Sequence, residues 1–161
     1  MKVINILLLA LGLFLTSCHK TRPHFDGGAK ISNVDTLRLD SVIAFTLSGG
    51  TFDMPIKVLI TDNIPLARRV IASNLPETQI NTSDFDARGV VFYDIGYSPV
   101  LWLPYIPKTT EDFSVVSHEI FHAVRRVLIW AGVKLTDDTE EVYAYEIQYI
   151  SKQFYEKINK K

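Results

Sequence analysis

The chain of 161 residues contains one cysteine, Cys18, so no disulfide bond can form within it. It has 17 Lys and Arg against 18 Asp and Glu, a formal net charge of −1. This balance gives no electrostatic reason to expect a nucleic-acid partner. Internal repeats and low-complexity tracts are absent from the sequence. The length and a hydrophobic content of 47% predict one globular domain with a substantial core.

Histidine is also scarce, with four in the chain. His19 and His24 lie in a polar stretch near the N-terminus, and we interpret them as solvated linker residues. The other two belong to Ser117-His118-Glu119-Ile120-Phe121-His122, which has the pattern H-E-x-x-H. The body of the domain therefore holds no histidine outside this motif.

Long apolar runs are limited to residues 3–15, which follow a short basic start. This run is too short and too close to the N-terminus to predict a membrane span, and it has the form of a secretory signal. It ends in Leu15-Thr16-Ser17-Cys18, which resembles the bacterial lipobox. We therefore predict a lipoprotein signal peptide over residues 1–17, cleavage before Cys18 and attachment of lipid to that cysteine.

The next residues, 18–30, are polar and contain Pro23 and Gly27-Gly28, so we predict a tether between the lipid and a domain spanning residues 31–161. The expected location is the bacterial cell envelope, with the lipid membrane as a partner through Cys18. His19, rather than an acidic residue, follows the cysteine. By resemblance to the sorting rule of enteric bacteria, this favours the outer membrane.

The first part of the domain predicts two strands and a helix. Apolar residues favour a strand over 37–47 and a second over 56–61. Asp62-Asn63 can cap a helix with Pro65 in its first turn. That helix should end near Asn74.

A β-hairpin is predicted next, after a polar loop over 79–88. Its strands are residues 89–95 and 100–106, joined by a turn at 96–99. Pro99 and Pro104 predict that the second strand lies at a sheet edge, where a missing N–H does no harm.

The H-E-x-x-H motif falls on a long predicted helix. Thr109 and Thr110 offer N-caps, residues 111–112 supply acidic side chains for the first turn, and the helix should run to Ala131 with Gly132 as its stop. One buried face is predicted from residues spaced three and four apart, with the two histidines on a neighbouring face; these residues are Phe113, Val116, Ile120, Val124, Val127 and Ala131.

A last helix is predicted from Thr136-Asp137 towards Ile158. Asp137 and Glu140 have the spacing of a capping box.

Histidines four apart on a helix project from one face, about one turn from each other. Two such imidazoles can hold a single Zn²⁺, and Glu119 can act as the base on water activated by the metal. The metzincin class requires Gly at 125 and His at 128. Arg125 and Leu128 occupy those positions, so that class is excluded.

Catalytic zinc sites commonly use three protein ligands, and the histidine count leaves a carboxylate for the third. Candidates lie on or before the last predicted helix; they are Asp137, Asp138, Glu140, Glu141 and Glu146.

The run Glu141-Val142-Tyr143-Ala144-Tyr145 is similar to the Glu-x-x-Ala-Tyr run of short gluzincins, the H-E-x-x-H metallopeptidases whose third ligand is a glutamate on a following helix. The resemblance covers about residues 89–150 and implies Glu141 as the third zinc ligand. Glu140 is its main rival, and an aspartate ligand, as in the aspzincins, is a further alternative. The implied fold is α+β and zincin-like: a small mixed sheet of about four strands, an edge hairpin packed on the active-site helix, and a C-terminal helix carrying the ligand.

Residues that would contact the substrate can also be predicted. Tyr145 lies one helical turn past Glu141, so we predict it as the oxyanion donor, with Tyr143 and Tyr149 as weaker choices. Ordinary packing is the alternative for each of these tyrosines. Strand 100–106 would pair with an extended substrate, and Trp102 and Tyr105 would lie near the cleft or close the core. Arg125 and Arg126 would either bind a substrate carboxylate or form a solvated helix face.

The leading functional prediction is a zinc-dependent metallopeptidase that acts on a peptide or protein substrate. The alternative is a non-catalytic zincin-fold lipoprotein that acts as a binding or assembly module. An intact Glu119 favours the enzyme, because a structural metal site needs no base. A third interpretation is a chance motif whose two histidines only form hydrogen bonds.

Overall fold

A computed structural model of the protein describes residues 37–39, 42–75 and 78–159. The elements are β1 (Leu37–Leu39), β2 (Val42–Leu47), β3 (Ile56–Ile60), α1 (Ile64–Asn74), β4 (Val90–Phe92), β5 (Val100–Leu103), α2 (Thr110–Trp130) and α3 (Glu140–Asn159). Two short 3₁₀ segments, Gly50–Phe52 and Thr82–Asp86, lie in the connections.

The predicted signal peptide, Cys18 and the tether fall outside the described residues. In the part of the chain that the structure describes, every helix is too short or too polar to cross a membrane.

The strands form one mixed sheet in the order β1-β2-β3-β5-β4. Only the β3–β5 pair is parallel, and the other three pairs are antiparallel. The prediction of an α+β domain with a mixed sheet is confirmed. The sheet has five strands rather than about four, because the predicted strand 37–47 forms two. They pair with Leu39 opposite Val42, on either side of the polar Asp40-Ser41.

The prediction that strand 100–106 lies at the sheet edge is wrong. β5 ends at Leu103 and lies between β3 and β4, with all four of its side chains buried. Pro99 and Pro104 flank β5 rather than interrupt it. The carbonyl of Pro99 accepts a hydrogen bond from the Lys57 backbone N–H, a bond that needs no N–H from proline. The edge strand next to α2 is therefore β4.

Helices cover both faces of the sheet. Side chains of successive strand residues point to opposite sides, so each strand contributes to a core on either face. On one face, Phe45 and Leu47 pack in a core shared with α2 and α3. On the other face, Val42 and Ala44 pack with α1 and with Phe85 of the second 3₁₀ segment. This arrangement puts the H-E-x-x-H helix over the β5–β4 side of the sheet.

α1 follows its sequence signals. The Asn63 side chain accepts a hydrogen bond from the backbone N–H of Leu66, Pro65 lies in the first turn and the helix ends at Asn74. The predicted cap and end are confirmed.

α2 begins with a capping box between Thr109 and Asp112. The Thr109 hydroxyl accepts from the Asp112 backbone N–H, and the Asp112 carboxylate accepts from the backbone N–H groups of Lys108 and Thr109. These backbone bonds lower the pKa of Asp112 to about 2. At the other end Gly132 has a φ of +82°, the left-handed conformation that terminates helices. Both predicted ends are confirmed.

α3 begins at Glu140, so the predicted start near Asp137 and the Asp137–Glu140 capping box are wrong. Thr139 occupies the cap position instead, since its carbonyl accepts from the Tyr143 backbone N–H. The Thr139 hydroxyl folds back on the turn, where it accepts from the Thr136 backbone N–H and donates to the Lys134 carbonyl.

α3 is attached to the loop between β2 and β3. Gln153 makes two hydrogen bonds to the backbone of Ser48, as donor to its carbonyl and as acceptor from its N–H. Nearby, the Glu146 carboxylate lies against Gly50, where a Cβ would be 2.9 Å from Oε2. Glu146 is only 7% exposed, and its Oε1 has no hydrogen-bond partner among the described residues. Burial raises the pKa of Glu146.

Replacement of Glu146 by Gln should raise the free energy of unfolding at pH 7. The pKa of Glu146 is raised in the folded state, so protonation of this carboxylate stabilises the fold. The stabilisation is fully present below the unfolded pKa of about 4.3 and is lost as pH rises through the folded pKa. The advantage of Glu146→Gln should therefore shrink as pH falls towards 4, as measured by urea unfolding. Glu156→Gln on the exposed side of α3 is the matched control and should show little change. A lower stability of Glu146→Gln at pH 7 would contradict this account.

Candidate metal centre

The two histidines of the motif lie on the outer face of α2. Val116 and Ile120 are fully buried against the sheet. His118 and His122 each follow one of these residues by two positions, which is about 200° around a helix. His118 is exposed and His122 is half-buried. Packing of α2 on the sheet therefore turns both imidazoles away from the core.

The imidazoles converge on one point. Their Nε2 atoms are 3.0 Å apart, within hydrogen-bond distance, and the rings meet edge to face with centroids 4.6 Å apart. Two imidazole nitrogens on one tetrahedral Zn²⁺, each about 2.0–2.1 Å from the metal, lie about 3.3 Å from each other. The His118–His122 pair thus fits two of the ligand positions of a zinc site.

Glu119 lies on a different face of the same helix, towards β4. It is 7% exposed. Burial raises the pKa of its carboxyl group, while the charges of His118 and His122 and a hydrogen bond from the Val91 backbone act to lower it. A carboxylate beside two imidazoles, with its basicity increased by burial, is suited to accept a proton.

Gly89 makes room for Glu119. A Cβ added to Gly89 would lie 3.0 Å from Leu103 Cδ2, 3.1 Å from Glu119 Cγ and 3.2 Å from Val115 Cγ1. These distances are too short for ordinary contacts, so a side chain at position 89 would displace its neighbours. The start of β4 can approach α2 this closely because residue 89 is glycine.

The start of β4 is also bound to the start of α2 by polar contacts. Arg88 Nη1 lies 3.0 Å from Glu111 Oε1, and its Nη2 lies 2.9 Å from Asp112 Oδ1. Arg88 Nε donates to Tyr105 Oη at 3.2 Å. Tyr105 and Glu111 raise the pKa of Arg88, the Tyr105 hydrogen bond most of all.

The other end of β4 contacts α2 through a cation–π pair. The guanidinium carbon of Arg126 lies 3.4 Å from the centre of the Tyr93 ring. β4 is therefore attached to α2 before and after its pairing residues, with Glu119 between the two attachments along the helix.

The predicted third ligands do not join the histidines. Among the described residues, no three His, Cys, Asp or Glu side chains form a group able to hold one metal ion. The carboxylates just before α3 and in its first turn are all exposed; they are Asp137, Asp138, Glu140 and Glu141. The remaining candidate, Glu146, faces Gly50. The identity of the third ligand stays a prediction.

The helical hairpin explains this separation. Phe113 near the start of α2 contacts Tyr155 near the end of α3, so the helices are antiparallel. Tyr143 Oη donates to the Val133 carbonyl, which holds the start of α3 beside the end of α2. The last residue of α2, Trp130, lies about 12 Å along the axis from His122 at about 1.5 Å per residue.

The tyrosines and Trp102 have separate roles. Tyr145 is 68% exposed, free for a contact with substrate but in no described contact with the histidines. Tyr143 is buried and serves the hairpin. Trp102 is fully buried on the opposite face of the sheet, where its Nε1 donates to the Thr61 carbonyl. Its predicted place near the cleft is wrong, and the alternative of closing the core is confirmed.

Sequence reasoning missed Gly89, Val91 and the Arg126–Tyr93 contact. A signal for Gly89 existed, since a glycine directly before a strong strand often marks a close backbone approach. The effect of Val91 on the pKa of Glu119 comes from a backbone group, which no residue pattern specifies. The pairing of Arg126 with Tyr93 depends on the direction of β4 along α2 and has no local signal.

Comparison of the chain with protein-family models, with curated proteins and with solved structures gave no match. The gluzincin resemblance accordingly rests on the residues of this chain alone.

Replacement of Gly89 by Ala should lower the free energy of unfolding by about 1 kcal/mol, because it overpacks the contact with Glu119. The effect should be smaller when Glu119 is Ala, since Cγ of the glutamate is then absent. A double-mutant cycle of Gly89→Ala and Glu119→Ala, measured by urea unfolding, should give a coupling energy of at least about 0.5 kcal/mol. Additive effects would show that Gly89 does not position Glu119.

Proposed function

We propose that the protein is a zinc-dependent metallopeptidase. The observation that carries the proposal is the convergence of His118 and His122, with 3.0 Å between their Nε2 atoms, beside the buried carboxylate of Glu119. Two such nitrogens with an adjacent carboxylate match the ligand and base chemistry of an H-E-x-x-H hydrolase.

His118 and His122 would hold the zinc through Nε2. When bound, zinc supplies a Lewis acid that activates water and polarises the substrate carbonyl. Glu119 takes a proton from the attacking water and then transfers it to the leaving nitrogen. Burial of Glu119 assists the first step, because it raises the pKa of the carboxyl group and makes the carboxylate a stronger base.

The predicted substrate strand, residues 100–106, is wrong, because β5 is paired on both sides; β4 instead offers a place for the substrate backbone. It is the last strand on its side of the sheet, and Glu119 lies against Gly89 at its start. An extended peptide can pair with such an edge, with its backbone groups bonding to those of the strand. A peptide on β4 would run alongside α2 and bring its bonds close to Glu119.

The gluzincin resemblance supplies two further assignments. Glu141 is the proposed third zinc ligand, with Glu140 as its rival, and Tyr145 is the proposed oxyanion donor. All three residues are exposed in the first turns of α3. Among the described residues Glu141 does not form a group with the two histidines, so its assignment as a ligand is carried by the resemblance alone.

The predicted signal peptide and the predicted lipidation of Cys18 complete the proposal. They support a protein exported to the bacterial cell envelope and anchored there by lipid, with the outer membrane as the favoured site. In the alternative, the same fold and anchor carry a binding or assembly module without catalysis.

One set of variants tests the enzyme proposal. The purified protein should retain one zinc per chain after dialysis, and His122→Ala should lose it, as measured by mass spectrometry of the metal. Glu119→Gln should retain zinc yet lower peptide cleavage by about a hundredfold or more, since it removes the general base. Cleavage is measured on a broad library of synthetic peptides.

Three results would contradict part of the proposal. Full zinc binding by His122→Ala would exclude the histidine pair as ligands. Undiminished cleavage by Glu119→Gln would exclude Glu119 as the base. Zinc binding by the wild type without cleavage of any peptide would favour the binding module.

A second pair of variants identifies the third ligand. Glu141→Gln should weaken zinc affinity by about tenfold or more, because it replaces a charged oxygen ligand by an amide. Glu140→Gln is the matched control, one residue away and equally exposed, and should bind zinc as the wild type does. Competition with a chelating dye measures both affinities. The reverse order would assign Glu140, and unchanged affinity in both would exclude this turn of α3.

A further inference from the structure

Arg126 is held in place by an aromatic ring rather than by an acid. Its guanidinium carbon lies 3.4 Å from the centre of the Tyr93 ring, so the planar group is stacked on the ring face. Stacking uses the face of the guanidinium and leaves the N–H groups at its edge available. The side chain is half-buried, unlike that of its neighbour Arg125, which is exposed.

Arg126 has no carboxylate partner among the described residues. The ion pairs there belong to Arg88 and Lys152. A positioned guanidinium with free edge donors is suited to two parallel hydrogen bonds from a carboxylate. The matching arginine at the other end of β4, Arg88, already has both of its Nη groups paired with acids.

The position of Arg126 relates it to the proposed catalytic base. Arg126 and Glu119 are two helical turns apart on the same side of α2, about 10 Å along the axis. Tyr93 directly follows β4 and lies two residues beyond Val91, which is about 7 Å in extended chain. Arg126 therefore lies within about two or three residues of Glu119 on an extended peptide.

The direction of β4 fixes which side of the cleaved bond this is. Gly89 lies near Val115, and Tyr93 lies near Arg126, so β4 and α2 run in the same direction. Antiparallel pairing is the more stable arrangement for a strand added at an edge. A peptide antiparallel to β4 has its N-terminal residues at Tyr93 and Arg126.

We propose that Arg126 is a specificity-determining residue that binds an acidic substrate side chain about two or three residues before the cleaved bond. This inference rests on the proposed peptidase function and on β4 as the substrate strand. The substrate class is then a peptide or protein segment with Asp or Glu at that position. Tyr93 has a positioning role, since it holds the guanidinium flat beside the strand edge.

The test compares cleavage sites in a library of randomised synthetic decapeptides, using the zinc-loaded full-length protein. The wild type should favour Asp or Glu over Lys at the second or third position before the cleaved bond by about tenfold, the scale of a hydrogen-bonded charge pair. Arg126→Gln should abolish the preference, and Arg126→Glu should reverse it in favour of Lys and Arg. Arg125→Gln is the matched control and should cleave as the wild type does.

The readout separates selectivity from folding. If Arg126 served only to attach β4 to α2, Arg126→Gln would lower the melting temperature and reduce cleavage of all peptides by the same factor. That result, or an acidic preference that survives in Arg126→Gln, would overturn the proposal. Arg126→Lys retains the charge but loses the planar fork, so it should keep only part of the acidic preference. If Arg126→Gln folds poorly, a reduced preference in Arg126→Lys supports the proposal and an unchanged preference overturns it.

Failure of the two proposals can be distinguished. Cleavage by the wild type without an acidic preference overturns the role of Arg126 and leaves the peptidase proposal intact. Absence of cleavage by the wild type on every peptide overturns both.

Discussion

An α-helix advances about 100° per residue, so neighbouring residues of α2 lie on different faces of the helix. Some of them pack in the core and others form the candidate site. Ile120 is fully buried against the sheet, and its neighbour Glu119 points towards β4. His118 and His122, on the outer face, bring their Nε2 atoms to 3.0 Å. Because these orientations come from one rigid helix, the chemistry depends on how α2 is capped and packed rather than on a mobile loop.

The edge strand β4 is the second constraint. Its start approaches α2 closely because residue 89 is glycine, and its end is attached through Tyr93 and Arg126. Glu119 is buried between these attachments, and burial raises the pKa of its carboxyl group. One strand thus sets the environment of the proposed base and offers an edge for substrate. The same contact positions the guanidinium that we propose as a specificity determinant.

Much of the fold was predictable where local chemistry decides it. The cap of α2 at Thr109 and its end at Gly132 follow from short-range hydrogen bonds and backbone freedom, and both were predicted correctly. The position of β5 within the sheet was not, because Pro99 and Pro104 flank the strand without entering its ladder. β5 pairs with its neighbour β4 and also with β3, which is far along the chain, and sequence periodicity carries no information about the second pairing.

The candidate site divides in the same way. The histidine pair was predictable because its geometry is internal to one helix, whereas a third ligand depends on how α3 lies beside α2. The central claim is that the pair binds zinc, and X-ray absorption at the zinc edge tests it most directly. The account predicts scattering from two imidazoles with nitrogen about 2.0–2.1 Å from the metal, lost in a variant with both His118 and His122 replaced by Ala. Zinc bound without imidazole scattering, or an unchanged spectrum in that variant, would contradict it.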